Sequence, residues 1–137
     1  MNCLEIYIDG ASKGNPGHSG VGIVIYRNGQ VLKRISSYIG KTTNNIAEYT
    51  ALIYALEEAL LLKAKSLKIN TDSQLLARQI NRIYKVKHEG LIGLYERAVH
   101  LLSGFDKVLV NHIPREENSC ADKLATEAIK ATLKNNL

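Results

Sequence analysis

A chain of 137 residues, 45% hydrophobic and 23% charged, is long enough for one domain with a real core and too short for two. It holds no apolar run near the roughly 20 residues that span a bilayer, and no basic-then-apolar leader pattern opens it, so a cytoplasmic protein without membrane attachment is expected. Eighteen Lys and Arg against thirteen Asp and Glu give a net charge of +5, which favours a polyanionic partner.

In chain order, Leu4-Glu5-Ile6-Tyr7-Ile8 is an apolar strand closed by Asp9. Gly10 to Gly20 follows as a turn-rich segment with no helical period. Val21 to Arg27 alternates Val21, Ile23 and Ile25 against Gly22, Val24 and Tyr26, and predicts a second strand. Asn28-Gly29 is a two-residue hairpin turn, because both positions tolerate positive φ. Gln30 to Ile39 returns as a third strand, so the chain opens with three antiparallel strands.

The polar loop Gly40-Lys41-Thr42-Thr43-Asn44-Asn45 leads into a helix over Ile46 to Lys63. Asn45 and Glu48 have capping-box spacing, and Leu52, Ala55, Leu56, Ala59 and Leu60 form its apolar stripe. Ser66 to Asp72 is a strand entered from a helix, hence a crossover parallel to the first strand. Ser73 to about Ile83 and about Leu91 to Ser103 read as helices, joined by the basic connection Lys85-Val86-Lys87-His88-Glu89-Gly90. Lys107 to His112 is a fifth strand, and Ile113 to Glu117 is a loop. A last helix starts at about Asn118, with Ala121, Leu124, Ala125, Ala128 and Ile129 on its apolar face. The order βββ-α-β-α-α-β-α predicts one α/β domain over 1–137, a mixed sheet with helices on its faces.

Four acids fall at the ends of these elements. Asp9 and Asp72 close strands, Glu48 lies in the first turn of the first helix, and Asp122 opens the last helix. Taken singly, each reads as a cap or turn residue. A carboxylate at the edge of a core is costly to desolvate unless a cation meets it. Two strand ends and two helix starts converging would ring one point with four carboxylates. Divalent metal is the natural counter-charge there, because Mg²⁺ and Mn²⁺ prefer oxygen ligands. In open α/β sheets, ligands collect at the carboxyl ends of parallel strands, where Asp9 and Asp72 stand. Cys3 and Cys120 have no metal-ligand spacing. If Asp9 and Asp122 meet, Cys3 lies about 20 Å back along an extended strand from that point, beyond disulfide reach of Cys120, so both cysteines are expected to be free thiols.

Tyr7-Ile8-Asp9-Gly10-Ala11-Ser12-Lys13-Gly14-Asn15-Pro16-Gly17 resembles the opening motif of the type 1 ribonuclease H family. Thr42-Thr43-Asn44-Asn45-Ile46-Ala47-Glu48-Tyr49 is similar to its second motif and Thr71-Asp72-Ser73-Gln74 to its third. His112-Ile113-Pro114-Arg115-Glu116-Glu117-Asn118-Ser119-Cys120-Ala121-Asp122 resembles the fourth, in the form met in a branch rich in archaeal and plant-type members. Four motifs in order, each carrying its acid, extend the resemblance over essentially the whole chain. It implies a ribonuclease H-like fold with sheet order 3-2-1-4-5. It also implies hydrolysis of the RNA strand of RNA/DNA hybrids by a two-metal-ion mechanism, leaving 5′-phosphate and 3′-hydroxyl ends. Asp9, Glu48, Asp72 and Asp122 match the family's ligands for two Mg²⁺ or Mn²⁺ ions, with Asp9 bridging them. The expected partner is the hybrid duplex alone, bound by a monomer.

By the same resemblance, Ser12, Asn15, Asn44 and Gln74 match positions that touch the RNA backbone and the minor groove, and Thr43 and Asn15 match a grip on a DNA-strand phosphate. Capping is the competing role for Asn44 and Asn45, and Gly10 and Gly14 read first as turn glycines. His112, ten residues before Asp122, matches a mobile-loop histidine that assists proton transfer or product departure, with a structural role at a strand end as the alternative. Ile113-Pro114-Arg115 is stiffer than the glycine-containing loop of other members. Arg115 either faces the scissile phosphate or pairs with Glu116 or Glu117. Some members carry a basic, Trp-bearing handle helix; this chain has no Trp and only Arg82-Ile83-Tyr84-Lys85-Val86-Lys87-His88, a hybrid contact or a solvated helix end.

Rival readings fit less well. Gly10 to Gly17 contains no G-x-x-x-x-G-K-[ST] and leads into a strand, against a nucleotide-binding loop. Ala11 stands where an aspartyl-phosphate phosphotransferase would carry a second Asp. A resolvase or integrase core would share the fold and the acids but lack the contact residues at Gly14-Asn15-Pro16-Gly17 and Thr43-Asn44-Asn45. A binding module on a degenerate nuclease fold would have lost an acid, and all four are present.

Overall fold

In the computed structural model, which describes residues 2–135, the first three strands run further than the hydrophobic pattern predicts. They are β1 (Cys3–Gly14), β2 (Gly17–Arg27) and β3 (Gln30–Thr42). The expected turn-rich segment Gly10 to Gly20 is mostly ladder: β1 continues past Asp9, and its residues from Gly10 to Gly14 pair with those from Val21 back to Gly17. Only Asn15 and Pro16 are left as the turn. Backbone pairing needs no apolar alternation, so Gly, Ser and Lys extend a strand that their side chains do not advertise.

Beyond these lie α1 (Asn44–Leu61), β4 (Ser66–Thr71), α2 (Gln74–Ile80), α3 (Glu89–Leu102) and β5 (Lys107–His112). A single 3-10 turn, Arg115–Glu117, then leads into α4 (Ser119–Asn135). The sheet order is β3-β2-β1-β4-β5. β1 is antiparallel to β2 and parallel to β4, which is in turn parallel to β5. The central position of β1 and its parallel crossover to β4 agree with the topology the resemblance implies.

One sheet face presents Leu4, Ile6, Ile8, Val21, Ile23, Ile25 and Ile69 to α1, where Leu52, Leu56 and Ala59 are fully buried. Each such Leu or Ile contributes roughly 1.5–3 kcal/mol by leaving water. The opposite face takes α4. A Cβ at Gly22 would stand 2.0 Å from the Ala121 carbonyl oxygen, so α4 rides on bare backbone of β2.

Several boundaries differ from expectation. Thr43, not Asn45, caps α1: its Oγ1 accepts the Ile46 N–H at 3.3 Å. Leu60 is 38% exposed and Leu124 only half-buried, so each sits at the edge of its helix stripe. α2 stops at Ile80, because Arg82 adopts a left-handed backbone (φ 63°) that no helix continues. Residues 82–88 are therefore an irregular strap rather than a helix end. Cys3 and Cys120 are free and exposed, as expected. Among the described residues, no helix is long and apolar enough to cross a membrane.

Candidate active site

Parallel pairing of β1 with β4 ends where Ile8 lies beside Thr71, so Asp9, which sits within β1 instead of closing it, stands next to Asp72 just past the end of β4. Gly10 brings in the third acid. A Cβ there would lie 2.3 Å from the Ala47 carbonyl carbon, so only glycine lets β1 touch the first turns of α1. The Gly10 N–H then donates to Glu48 Oε1. That bond explains the misplaced cap: Glu48 turns toward β1 instead of back onto its own helix start. Gly10 serves close approach here, whereas Gly14, with φ 98°, is the turn glycine.

Carboxylate oxygens of Asp9, Glu48 and Asp72 lie within 4.8 Å of one another. Asp122 stands outside that tight group but lines the same cavity of about 340 Å³, with Ser12, Asn44, Ser73 and Arg115. Its helix is tied to the first strand by Asn118, whose Nδ2 donates to the Ile8 carbonyl at 2.8 Å and whose backbone carbonyl accepts the Asp122 N–H. Asn118 is part of the fourth motif, yet nothing in its sequence context marks it as the link between the two elements.

Asp9 and Glu48 are each only 5% exposed. Burial, then the carboxylates of Glu48 and Asp72, and then Asp122, push Asp9 up to about 10. Burial pushes Glu48 up to about 8, against the Gly10 N–H, which favours its charged form. These shifts share one cause: like charges packed out of water. An all-oxygen donor set whose charges cannot coexist uncompensated fits a hard divalent cation.

The remaining predicted residues separate into groups. The single Ser12 hydroxyl proton lies within hydrogen-bond reach of the Gly14 and Thr42 carbonyls (3.0 Å to the latter), bracing the wall of the carboxylate cavity. Arg115 lines that cavity, and no ion pair to Glu116 or Glu117 forms among the described residues. Asn15 and Thr43 line a second cavity of about 390 Å³ with Gln79, Lys85, Lys87 and His88. The two cavities meet at one link, where Asn15 Oδ1 accepts the Asn44 N–H at 3.0 Å. Gln74 is exposed and lines neither, its amide oriented toward the Arg78 guanidinium at 3.0 and 3.2 Å. His112 is exposed at the end of β5, beside Thr71, and also lies outside both walls.

Residues 7–128 match the family model described as Reverse transcriptase-like. The chain is 39% identical to the N-terminal RNase H domain of Rv2228c from Mycobacterium tuberculosis, covering 93% of this chain and 98% of that one, with a TM-score of 0.89. Rv2228c as a whole is described as a bifunctional protein, and the chain spans 36% of its length. RNase H1 from Halobacterium salinarum is 39% identical over 94% of this chain and 98% of that one, with a TM-score of 0.92. LC11-RNase H1, isolated from compost, was solved in complex with an RNA/DNA hybrid. In that complex it is 40% identical over 95% of this chain and 99% of its own, with a TM-score of 0.90. Likeness over nearly the full length, on a fold that gathers the four acids of the motifs around one cavity, gives the assignment: the chain belongs to the type 1 ribonuclease H family.

Proposed function

We propose that this chain is a metal-dependent endonuclease that hydrolyses the RNA strand of RNA/DNA hybrids, working as one catalytic domain over 1–137 and as a monomer. The observation that carries the reading is the convergence of Asp9, Glu48 and Asp72 within 4.8 Å where the parallel pairing of β1 and β4 ends. A relative that covers nearly all of this chain, LC11-RNase H1, has been captured on such a hybrid.

Asp9, Glu48, Asp72 and Asp122 would hold two Mg²⁺ or Mn²⁺ ions. When bound, the ions supply an activated water and stabilise the leaving 3′ oxygen, so the products carry 5′-phosphate and 3′-hydroxyl ends. Asp9, on the central strand and most enclosed by other acids, is the ligand suited to both ions. Asp122 closes the ring from α4. Arg115, unpaired with its acidic neighbours, faces the phosphate from the cavity wall. Ser12 and Asn44 line that wall at the height of the RNA sugars, and Gln74, exposed at the start of α2, reaches the minor groove. Asn15 and Thr43 hold a phosphate of the DNA strand in the second cavity, with Lys85 and Lys87 in place of a handle helix. His112, outside the ligand ring, serves product departure.

The test is cleavage of end-labelled RNA/DNA, RNA/RNA and DNA/DNA duplexes in parallel, with Mg²⁺, with Mn²⁺ and with EDTA. Metal-dependent loss of the RNA strand of the hybrid is expected, with products that a ligase requiring 5′-phosphate and 3′-hydroxyl ends can rejoin. No hybrid cleavage with either ion would refute the reading.

A further inference from the structure

Four side chains on the wall of the second cavity have their acceptor atoms engaged from behind. Asn15 Oδ1 accepts the Asn44 N–H at 3.0 Å, and Thr43 Oγ1 accepts the Ile46 N–H at 3.3 Å. His88 Nδ1 accepts the Gly90 N–H at 3.1 Å, which leaves the proton on Nε2. Gln79 Oε1 accepts the Tyr49 hydroxyl at 2.6 Å. What these groups can still offer is donors: two amide NH₂ groups, a hydroxyl and a ring N–H. Lys85 and Lys87 add ammonium groups, and no carboxylate lies on the wall. Asn45, the other polar residue on the wall, can turn its amide to donate as well, so a wall of two lysines and these donors, without a carboxylate, suits an anion.

Gln79 is the residue that neither the motifs nor the resemblance marks. It is 4% exposed, on a helix face that otherwise buries Leu76 and Ala77, and its NH₂ has no partner among the described residues. Tyr49, 1% exposed and one residue beyond Glu48, cannot touch a substrate. A phenol hydroxyl carries one proton, and at 2.6 Å Tyr49 gives it to Gln79 Oε1. With its oxygen held this way, the Gln79 amide has one orientation, NH₂ toward the cavity. Without the hydroxyl, the amide is free to turn and present its oxygen, which repels an anion.

We infer that Gln79 is a phosphate-binding residue for the DNA strand of the hybrid and that Tyr49 is the positioning residue that keeps its NH₂ facing that phosphate. This rests on the hybrid-nuclease reading above. The test replaces DNA-strand phosphates one at a time with neutral methylphosphonates and measures hybrid binding by fluorescence anisotropy in EDTA. KM and kcat are measured separately with Mg²⁺.

For the wild-type protein, one methylphosphonate position should weaken binding about tenfold, as expected for a charge-assisted hydrogen bond. Gln79→Leu should lose most of that sensitivity at the same position and keep the wild-type response elsewhere. Tyr49→Phe should do so in part, with KM raised and kcat unchanged at saturation. The double variant Tyr49→Phe/Gln79→Leu removes both partners of the buried bond, which leaves no orphaned group, so it should fold as the wild type does and behave as Gln79→Leu. Full retention of the position-specific loss in Gln79→Leu and in the double variant, by a protein that still cuts hybrid, would overturn the inference alone. A wild-type protein that neither binds nor cuts hybrid would overturn it together with the function it rests on.

Discussion

The two cavities share three wall segments and have opposite electrostatic character. The end of β1 gives Ser12 to the first cavity and, through its turn, Asn15 to the second; the start of α1 gives Asn44 to one and Thr43 to the other. The stretch after β4 gives Ser73 to the first and Gln79 to the second. Yet the first concentrates carboxylates, while the second carries two lysines and no carboxylate. Asp9 lies within the paired part of β1, Asp72 just past β4, and Glu48 and Asp122 in the early turns of helices, all on or beside regular elements, while the lysines ride on the irregular strap 82–88. Under the proposed function, the difference is a division of labour: the carboxylate end would hold cations for chemistry, and the neighbouring wall would hold the substrate by its phosphates.

The largest expected effect breaks the first cavity alone. Asp72→Asn should abolish cleavage while the protein stays folded, because its charge serves a bound ion and not the core. Without metal the variant should be more stable than wild type by roughly 1 kcal/mol, since one like charge is gone. A variant with near-normal turnover, or an unfolded one, would contradict this. Gly10→Ala attacks the frame instead. Its Cβ would meet Ala47 and Glu48 backbone at 2.3 and 2.4 Å, so β1 and α1 must separate, at a cost of about 3 kcal/mol in thermal or urea unfolding.

Smaller effects sharpen the contrast. Asp9 and Glu48 keep protons in the folded chain that the unfolded chain releases near pH ~4. Stability of the metal-free protein should therefore fall as pH rises from there through about 8, and further toward about 10. Divalent metal, taking the place of those protons, should flatten the slope; unfolding curves from pH 5 to 9 with and without Mg²⁺ read it directly. Replacing Lys85 and Lys87 with Ala should leave kcat unchanged and reduce the log–log salt dependence of hybrid binding by about 1 to 2 units. An unchanged salt slope would make the strap a solvated surface.

How much of this was legible follows the same contrast. The acids were readable because each interrupts or abuts an apolar run; the hairpin turn and the crossover helix indicated three antiparallel strands and a parallel fourth, and the full order 3-2-1-4-5 came from the family resemblance. The extension of β1 and β2 through Gly10 to Gly20 was not, because a ladder of Gly, Ser and Lys has no apolar period and only its partner reveals it. Thr43 and Asn45 are both competent caps, and the choice fell to Thr43 once Gly10 drew Glu48 away. The end of α2 turned on one left-handed residue, Arg82, which no periodicity announces. Gln79 was invisible because its partner Tyr49 lies 30 residues away on another helix. Motif position located His112 and Gln74 in the chain, but it carries no information on where a side chain points.

The most direct measurement of the central claim uses a hybrid in which the ribonucleotides flanking one cleavage site are replaced by deoxyribonucleotides. Ser12, Asn15, Asn44 and Gln74 are short hydrogen-bonding groups suited to a minor groove lined with 2′-hydroxyls, and none is a stacking platform for single-stranded bases. Losing those hydroxyls leaves the polar groups under-paired at about 1 kcal/mol or more for each lost bond. Cleavage at that site should slow by orders of magnitude, while changes of base sequence there should matter little. Comparable cleavage of the substituted site, or of an all-DNA duplex, would contradict the account and point to a resolvase-like nuclease.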